Sequence, residues 1–280
     1  MAVDNALVLG GGGIAGIAWM TGLLAGLADA GQDVTGADLV IGTSAGSVVA
    51  AQLGSGLPLD DLYARQADPA LQSPEIPVSF DMEQFGAQYD ASTTGTMSAQ
   101  DLLRAAGAFA VAATTVPEAA RWDVIAGRLP SHEWPQRPIR IVAVDCESGA
   151  TEVFDADSGV RLVDAVAASC AVPGIWPPVT IGGRRYMDGG ARSVDNADLA
   201  EGAARIIVVS PFGMETQIST PMPLPDVVAR LRDTGAHVTV IEPDEASRAA
   251  FGANPLDPAT RQPAAEAGRA QGQAGLPQGS

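Results

Sequence analysis

The feature that most constrains this chain is a pattern that occurs twice within its first 53 residues. An apolar run ends abruptly in glycine, and a helical pattern follows it. The two runs read as buried strands at Ala6–Leu9 and Leu39–Ile41, and the helical patterns cover Gly16–Ala30 and Ala45–Leu53. Alternation of strand and helix predicts a parallel sheet with helices on both faces.

Strand patterns return in the second half of the chain, and one helical pattern lies among them. The strands are expected at Ile139–Val144, Thr151–Phe154, Arg205–Val209 and His237–Ile241, and the helix at Leu162–Ser169. The α/β class therefore extends over most of the chain, with a central sheet that is mainly parallel. The stretch from Pro211 to Pro225 is rich in proline and is expected to be a loop.

Residues 70–135 differ from the rest and are interpreted as a mostly helical insertion or cap. Ser98 and Asp101 resemble a capping box, with Asp in place of Glu, ahead of the apolar run Leu102–Val111. A second helix is predicted from Pro117 to Ala126. With no repeat and no clear linker, we expect one domain over residues 1–272 and a frayed tail over 273–280.

Charge limits the classes of partner. The formal net charge is −17, and all sixteen basic residues are Arg. Nucleic acid is an unsuitable partner because binding it requires a basic surface, and the same charge predicts weak binding to anionic membranes. Two cysteines, Cys146 and Cys170, form neither a disulfide framework nor a CxxC pair, so we expect no metal site.

An uncharged stretch from Asn5 to Ala28 must be weighed as a membrane or export segment. Its start contains Asp4 but no Lys or Arg, unlike a signal peptide, and four consecutive glycines, Gly10 to Gly13, would interrupt a spanning helix. A buried strand, a loop and a buried helix explain the same residues better. We therefore expect a cytoplasmic protein.

Gly42-Thr-Ser44-Ala-Gly46 matches the nucleophile-elbow pattern G-x-S-x-G. The pattern alone is weak, but here it follows the apolar run Leu39–Ile41 and opens a predicted helix. A sharp turn at this point lifts the serine hydroxyl out of the fold, and Gly42 and Gly46 let the chain turn tightly. Ser44 is therefore the candidate nucleophile, and a plain tight turn is the alternative.

The glycine loop after the first strand is a candidate oxyanion hole. Backbone N–H groups of Gly11, Gly12 and Gly13 could converge on one anion, such as the oxygen of a tetrahedral intermediate. A purely structural glycine turn stays open as an alternative.

The same loop also fits a dinucleotide fingerprint, through Gly11, Gly13 and Gly16. That motif requires an acidic residue about 20 positions further on, at the end of the second strand. Asp38 instead precedes that strand, and Ser44 follows its far end. We therefore expect no nucleotide cofactor and no other cofactor.

A neutral serine needs a base within hydrogen-bonding reach. The chain has two histidines, of which His132 lies in the predicted cap and His237 begins a predicted strand. Either could serve as a base, because a triad is defined by geometry rather than by chain order. A lone histidine is more often a surface or satisfied core residue.

Asp188 is the better candidate for the base. It follows the short apolar pair Tyr186-Met187 and is followed by two glycines, Gly189 and Gly190. Taken alone, this segment reads as an ordinary Asp-Gly-Gly turn.

Four motifs, taken together and in this order, resemble those of the patatin-like phospholipase family. Gly11–Gly16 resembles the family's oxyanion loop, Gly42–Gly46 its nucleophile elbow and Asp188–Gly190 its D-G-[GA] motif. Ala168–Pro173, followed by Gly174–Pro178, resembles the A-S-x-x-x-P segment that leads to the aspartate. The resemblance covers most of the chain and is strongest over residues 5–55 and 160–195.

The resemblance implies a three-layer α/β/α fold and a Ser-Asp dyad in which Asp188 takes the Ser44 proton without help from histidine. It also implies hydrolysis of acyl esters of lipid-like substrates through an acyl-serine intermediate. One departure concerns Ala15, where the family loop often has Lys or Arg. The missing charge leaves small neutral esters or acyl transfer as further possibilities.

Two other readings remain open on the residues. The first is an ordinary α/β-hydrolase with a Ser-His-Asp triad, which would use His237; the second is a patatin-like scaffold without turnover. The predicted cap is expected to line the substrate pocket. Candidates for acyl contacts are Phe80, Phe85, Phe109 and Val111, although core packing is the preferred explanation of each.

Overall fold

A computed structural model describes residues 3–78, 97–216 and 218–277 of the chain. Eight strands in this part form one sheet: β1 (Asn5–Leu9), β2 (Leu39–Thr43), β3 (Ile139–Asp145), β4 (Thr151–Phe154), β5 (Val179–Ile181), β6 (Arg184–Asp188), β7 (Arg205–Val209) and β8 (His237–Ile241). The α-helices are α1 (Gly13–Asp29), α2 (Ala45–Leu53), α3 (Leu59–Ala67), α4 (Ala99–Ala112), α5 (Glu118–Arg128), α6 (Leu162–Ser169), α7 (Leu224–Asp233), α8 (Glu245–Phe251) and α9 (Arg261–Gln273).

The sheet is mixed and mostly parallel, which confirms the predicted fold class. Its hydrogen-bonded strand pairs follow the path β5-β6-β3-β2-β1-β7-β8, in which β6 and β2 share one edge of β3, and the strands β3, β2, β1, β7 and β8 are parallel. Strands β4 and β6 run antiparallel to β3, and β5 runs antiparallel to β6.

Side chains of β1 alternate between two hydrophobic clusters, one on each face of the sheet. Leu7 and Leu9 pack in the cluster that contains α1, α2, α6 and α9, whereas Ala6 and Val8 pack in the cluster that contains α7. Because successive strand residues point to opposite faces, a sheet covered on both sides needs apolar residues at every position. This explains why the first two strands read as continuous apolar runs.

The register around β3 brings the ends of β2 and β6 together. Thr43, the last residue of β2, pairs with Val142, and Asp188, the last residue of β6, pairs with Ala143. Strand β4 pairs with the other edge of the same β3 residues. Strands β2 and β6 therefore lie end to end along one edge of β3, and their last residues meet.

The predicted elements agree with the structure within a few residues at their ends, and Ser98 caps α4 as expected, its hydroxyl accepting from the Asp101 amide at 3.2 Å. Helices α3, α7, α8 and α9 were not predicted. Part of the predicted frayed tail is ordered, because α9 extends to Gln273 and the amide of Leu276 donates to Gln32 at 2.7 Å. Residues 79–96 of the predicted cap lie outside the described residues.

No helix within the described ranges is long and apolar enough to cross a membrane.

Candidate active site

Ser44 occupies a strained turn between β2 and α2. Its φ of 53° and ψ of −116° lie outside the regions that residues with a side chain ordinarily adopt. Gly42 and Gly46 make this turn possible by their small size. A methyl group on Gly42 would lie 2.6 Å from the Ser47 Cα, and one on Gly46 would collide with the Leu9 carbonyl.

The segment that ends α6 holds the backbone of this turn. The Ser169 hydroxyl accepts a hydrogen bond from the Ser44 amide at 2.9 Å, and the Cys170 thiol donates to the Ser44 carbonyl at 3.3 Å. The Ser47 hydroxyl donates to the same carbonyl at 2.6 Å. Such contacts offset the cost of an unfavourable backbone conformation. They give the A-S-x-x-x-P segment a physical role in positioning Ser44.

Asp188 is buried at the end of β6, facing Ser44. Its Oδ1 accepts from the Gly190 amide at 2.7 Å, and its own amide donates to Ala171 at 2.9 Å. Burial raises the pKa of this carboxyl to about 7, against the lowering effects of the nearby Ser44 side chain, the hydrogen bond from the Gly190 amide and the Arg121 charge. The structure therefore brings together the predicted nucleophile and the predicted base.

The three predicted oxyanion glycines are not equivalent. Gly11 lies against Ser44, since a methyl group on it would be 3.7 Å from the Ser44 Cβ. Its amide, however, donates to the Val194 carbonyl at 2.9 Å. Among the described residues, no acceptor pairs with the amides of Gly12, Gly13 or Ala45. These three are the amides available to an anion beside Ser44, and Ala45 was not among the predicted set.

Asn196 links the two strand ends and was also missed from the sequence. This buried residue has a left-handed φ of 50°, a conformation that Asn tolerates better than most residues. Its Nδ2 donates to the Thr43 hydroxyl at 3.0 Å and to the Gly189 carbonyl at 3.1 Å. Thr43 precedes Ser44 and Gly189 follows Asp188, so Asn196 is a positioning residue for both. Nothing in its local sequence distinguishes it from an ordinary turn asparagine.

A cavity of about 140 Å³ opens beside Ser44, Asp188 and the glycine loop. Its walls are mostly apolar, and two arginines, Arg121 and Arg128 of the predicted cap, also line it. The apolar lining comes from Ile14, Ile17, Val172, Ile175, Trp176, Val194, Phe212, Ile218 and Leu256. An apolar cavity of this kind, beside the candidate nucleophile Ser44, suits an acyl chain.

Several predicted candidates lie elsewhere. His132 and His237 are exposed and do not line the cavity. Phe109 packs over Gly174, and Val111 packs at the edge of a hydrophobic cluster around α4, as core packing would require. The acyl-contact candidates Phe80 and Phe85 lie outside the described residues.

The chain is similar to known proteins both in sequence, through a family model, and in structure. A family model described as patatin-like phospholipase matches residues 7–201. Among solved structures, the chain is similar to VipD from Legionella pneumophila, with 13% identity and a TM-score of 0.47, and to the type III effector protein ExoU, with 16% identity and a TM-score of 0.42. Both alignments cover 98% of this chain, which spans 66% and 52% of those two chains, respectively. None of the curated proteins matches it.

Proposed function

Because the chain belongs to the patatin-like phospholipase family, we propose that it is a serine acyl hydrolase that cleaves carboxylic esters of lipid-like substrates. Membership of the family implies lipid acyl hydrolysis in general. The proposal assigns Ser44 as the nucleophile and Asp188 as the general base. The observation that carries it is the buried Asp188 carboxyl, which lies beside Ser44, a serine in a strained turn, in the lining of one mostly apolar cavity.

Acylation begins when Asp188 takes the proton of the Ser44 hydroxyl as the serine oxygen attacks the ester carbonyl. The carbonyl π bond breaks, and its oxygen becomes an oxyanion. The amides of Gly12, Gly13 and Ala45, which have no acceptor among the described residues, are the donors available to stabilise that charge. When the intermediate collapses, the bond to the leaving alcohol breaks and Asp188 returns its proton to the alcohol oxygen, which leaves an acyl-Ser44 ester.

Deacylation repeats these steps with water in place of serine. Asp188 takes a proton from water, whose oxygen attacks the acyl carbonyl. Collapse of the second intermediate breaks the bond to Ser44, and the proton returns to the serine oxygen. The raised pKa of Asp188 suits this cycle, because a carboxyl with a pKa near 7 is a stronger base than one near 4 and is still largely ionised above pH 7.

Labelling and kinetics of Ser44→Ala test the assignment. A fluorophosphonate probe should label the wild type at Ser44 and should not label the variant, whose hydrolysis of p-nitrophenyl esters should fall by at least about 10³-fold. Ser158→Ala, in the exposed turn before α6, is the matched control and should retain both properties. A folded Ser44→Ala sample with turnover near that of the wild type would contradict the proposal.

A further inference from the structure

The cavity beside Ser44 contains a cationic feature that the proposed dyad chemistry does not use. Arg121 and Arg128 both line it, and they lie seven residues apart on α5, which places them on the same helix face. Their side chains are each only 6% exposed. Two guanidinium groups buried in the wall of an apolar cavity require a counter-charge.

Within the described residues, Glu75 is the carboxylate that pairs directly with this cluster, and Asp188 interacts with Arg121 at longer range. Glu75 accepts from the Nε and Nη2 of Arg128 at 2.9 and 2.7 Å, and from the Nη2 of Arg261. Arg121 contributes the third guanidinium, so the three arginines and Glu75 carry a net charge of +2. Both oxygens of Glu75 are taken by Arg128 and Arg261. The cluster is therefore short of negative charge and of hydrogen-bond acceptors.

Of the two arginines that line the cavity, Arg121 is the one with unused buried donors among the described residues. It comes only within 3.8 Å of Glu75, and among the described residues its buried Nε and Nη1 have no hydrogen-bond partner. Its guanidinium lies over the ring of Trp176, 3.7 Å from the centroid, in the lining of the same cavity. Stacking on an aromatic ring holds the guanidinium plane while leaving its N–H edge available to a ligand.

We propose that Arg121 and Arg128 form an anion subsite that binds a phosphate monoester group carried by the ester substrate. This inference rests on the proposed function. A phosphate monoester carries a charge of about −1.5 to −2 at pH 7, opposite in sign to the excess positive charge of the three arginines and Glu75, and its oxygens fit the guanidinium donors. A glycerolipid phosphate lies only a few bonds from the ester carbonyls, so one cavity can hold both groups. The subsite also gives a chain of net charge −17 a local means of binding an anionic substrate.

Three matched substrates, all kept monomeric, test the preference. They are dihexanoyl phosphatidic acid, dihexanoyl phosphatidylcholine and dihexanoylglycerol. The wild type should hydrolyse the phosphatidic acid with a kcat/KM at least about ten-fold above the other two, since hydrogen bonds between charged groups are worth that factor or more. Equal values would overturn the inference and leave the proposed function standing. Failure to hydrolyse any of the three would contradict the proposed function instead.

Arg121→Met removes the guanidinium and keeps an apolar side chain on Trp176. The ratio of kcat/KM for phosphatidic acid to that for dihexanoylglycerol should fall at least about ten-fold. Arg104→Met, at an exposed position on α4, removes the same charge away from the cavity and should keep the wild-type ratio. A ratio that survives Arg121→Met would overturn the inference.

Inhibition of the wild type provides a second measurement that is independent of how the variant folds. Hexyl phosphate should compete with dihexanoylglycerol, and inorganic phosphate should inhibit at least about ten-fold more weakly, because it lacks the apolar chain. Absence of competition by hexyl phosphate would overturn the inference. Equal inhibition by inorganic phosphate would overturn the assignment to a lipid-borne group.

Discussion

Asp188 combines full burial with the need to carry a negative charge. Burial raises its pKa to about 7, and a general base acts only when it is deprotonated. For a neutral ester, kcat/KM should therefore rise about ten-fold per pH unit below pH 7 and level off above it. A pH profile from 5 to 9 measures this. A flat profile between pH 5 and 8 would contradict a base with a raised pKa.

The same residue links activity to stability. The folded state binds the Asp188 proton more tightly than the unfolded chain, whose pKa is 3.8, so this carboxyl lowers the free energy of unfolding progressively as pH rises from about 4 to about 7. Asp188→Asn cannot ionise. At pH 8 it should raise the free energy of unfolding by up to about 4 kcal/mol, while kcat falls at least about 10³-fold.

Thermal unfolding of the wild type and Asp188→Asn at pH 4 and pH 8 measures the stability effect. We expect the free energies of unfolding of the two proteins to differ at pH 8 and to agree at pH 4. Asp195, which is also buried and has a pKa raised to about 7, titrates in both proteins and serves as the internal reference. If Asp188→Asn retained a tenth of the wild-type kcat, Asp188 would be a turn residue only.

Neither histidine should be needed for catalysis. His237 begins β8 at the end of the parallel sheet opposite to Ser44, and the His132 Nε2 lies 3.0 Å from the Ala126 carbonyl on the protein surface. The double variant His132→Ala/His237→Ala should keep most of its kcat on p-nitrophenyl esters. A folded double variant that loses about 10³-fold would instead support a Ser-His-Asp triad.

At the scale of secondary-structure elements, α1 and α9 pack backbone against backbone through glycines. A methyl group on Gly22 or Gly26 of α1 would collide with carbonyls of Ala265 or Arg269 in α9. The contact is reciprocal, because Gly268 and Gly272 of α9 face carbonyls of Trp19 and Leu23, respectively. Two small residues four apart on each helix allow this close approach.

Gly268→Ala should lower the free energy of unfolding by about 1–3 kcal/mol, since the added methyl forces the helices apart. Gly127→Ala on α5 is the matched control. Its nearest neighbour would be the Ser73 Cβ at 3.9 Å, so it should stabilise the protein by about 0.5–1 kcal/mol through helix propensity. Denaturant unfolding compares the two. Equal free energies of unfolding for Gly268→Ala and the wild type would show that α9 can move to accommodate the methyl group without loss of stability.

At the scale of the whole molecule, the net charge predicts how strongly the protein binds to membranes. The net charge of −17 should repel an anionic bilayer, and the buried positions of Arg121 and Arg128 keep their charge from facing it. Co-sedimentation with phosphatidylserine-rich vesicles at low salt should therefore be weak and no stronger than with phosphatidylcholine. Strong binding to the phosphatidylserine vesicles, reversed by salt, would reveal a basic surface patch and contradict this expectation.

The sequence by itself determined the features that depend on neighbouring residues. Apolar runs that stop at glycine predicted β1 and β2, and the glycines around Ser44 predicted a sharp turn. These predictions succeed because backbone conformation and burial of a strand are set largely within a few residues. Asp188 was a candidate from an apolar pair followed by two glycines, but its role as the base was implied by the resemblance to the patatin-like phospholipase family. Helix α9 was missed because its alanines and glycines carry little apolar periodicity and are buried through close backbone contact with α1.

Only the tertiary structure decided which groups meet. Ser44 and Asp188 are close because β2 and β6 pair with neighbouring residues of β3, so that the ends of the two strands lie next to each other. Asn196, in a turn further along the chain, donates hydrogen bonds to both strand ends. The pairing of Gly11 with Val194, and the excess charge around Glu75, likewise depend on segments far apart in sequence. Local patterns cannot specify such contacts, because hydrogen-bond partners, burial of charge and the resulting pKa values are properties of packing between distant segments.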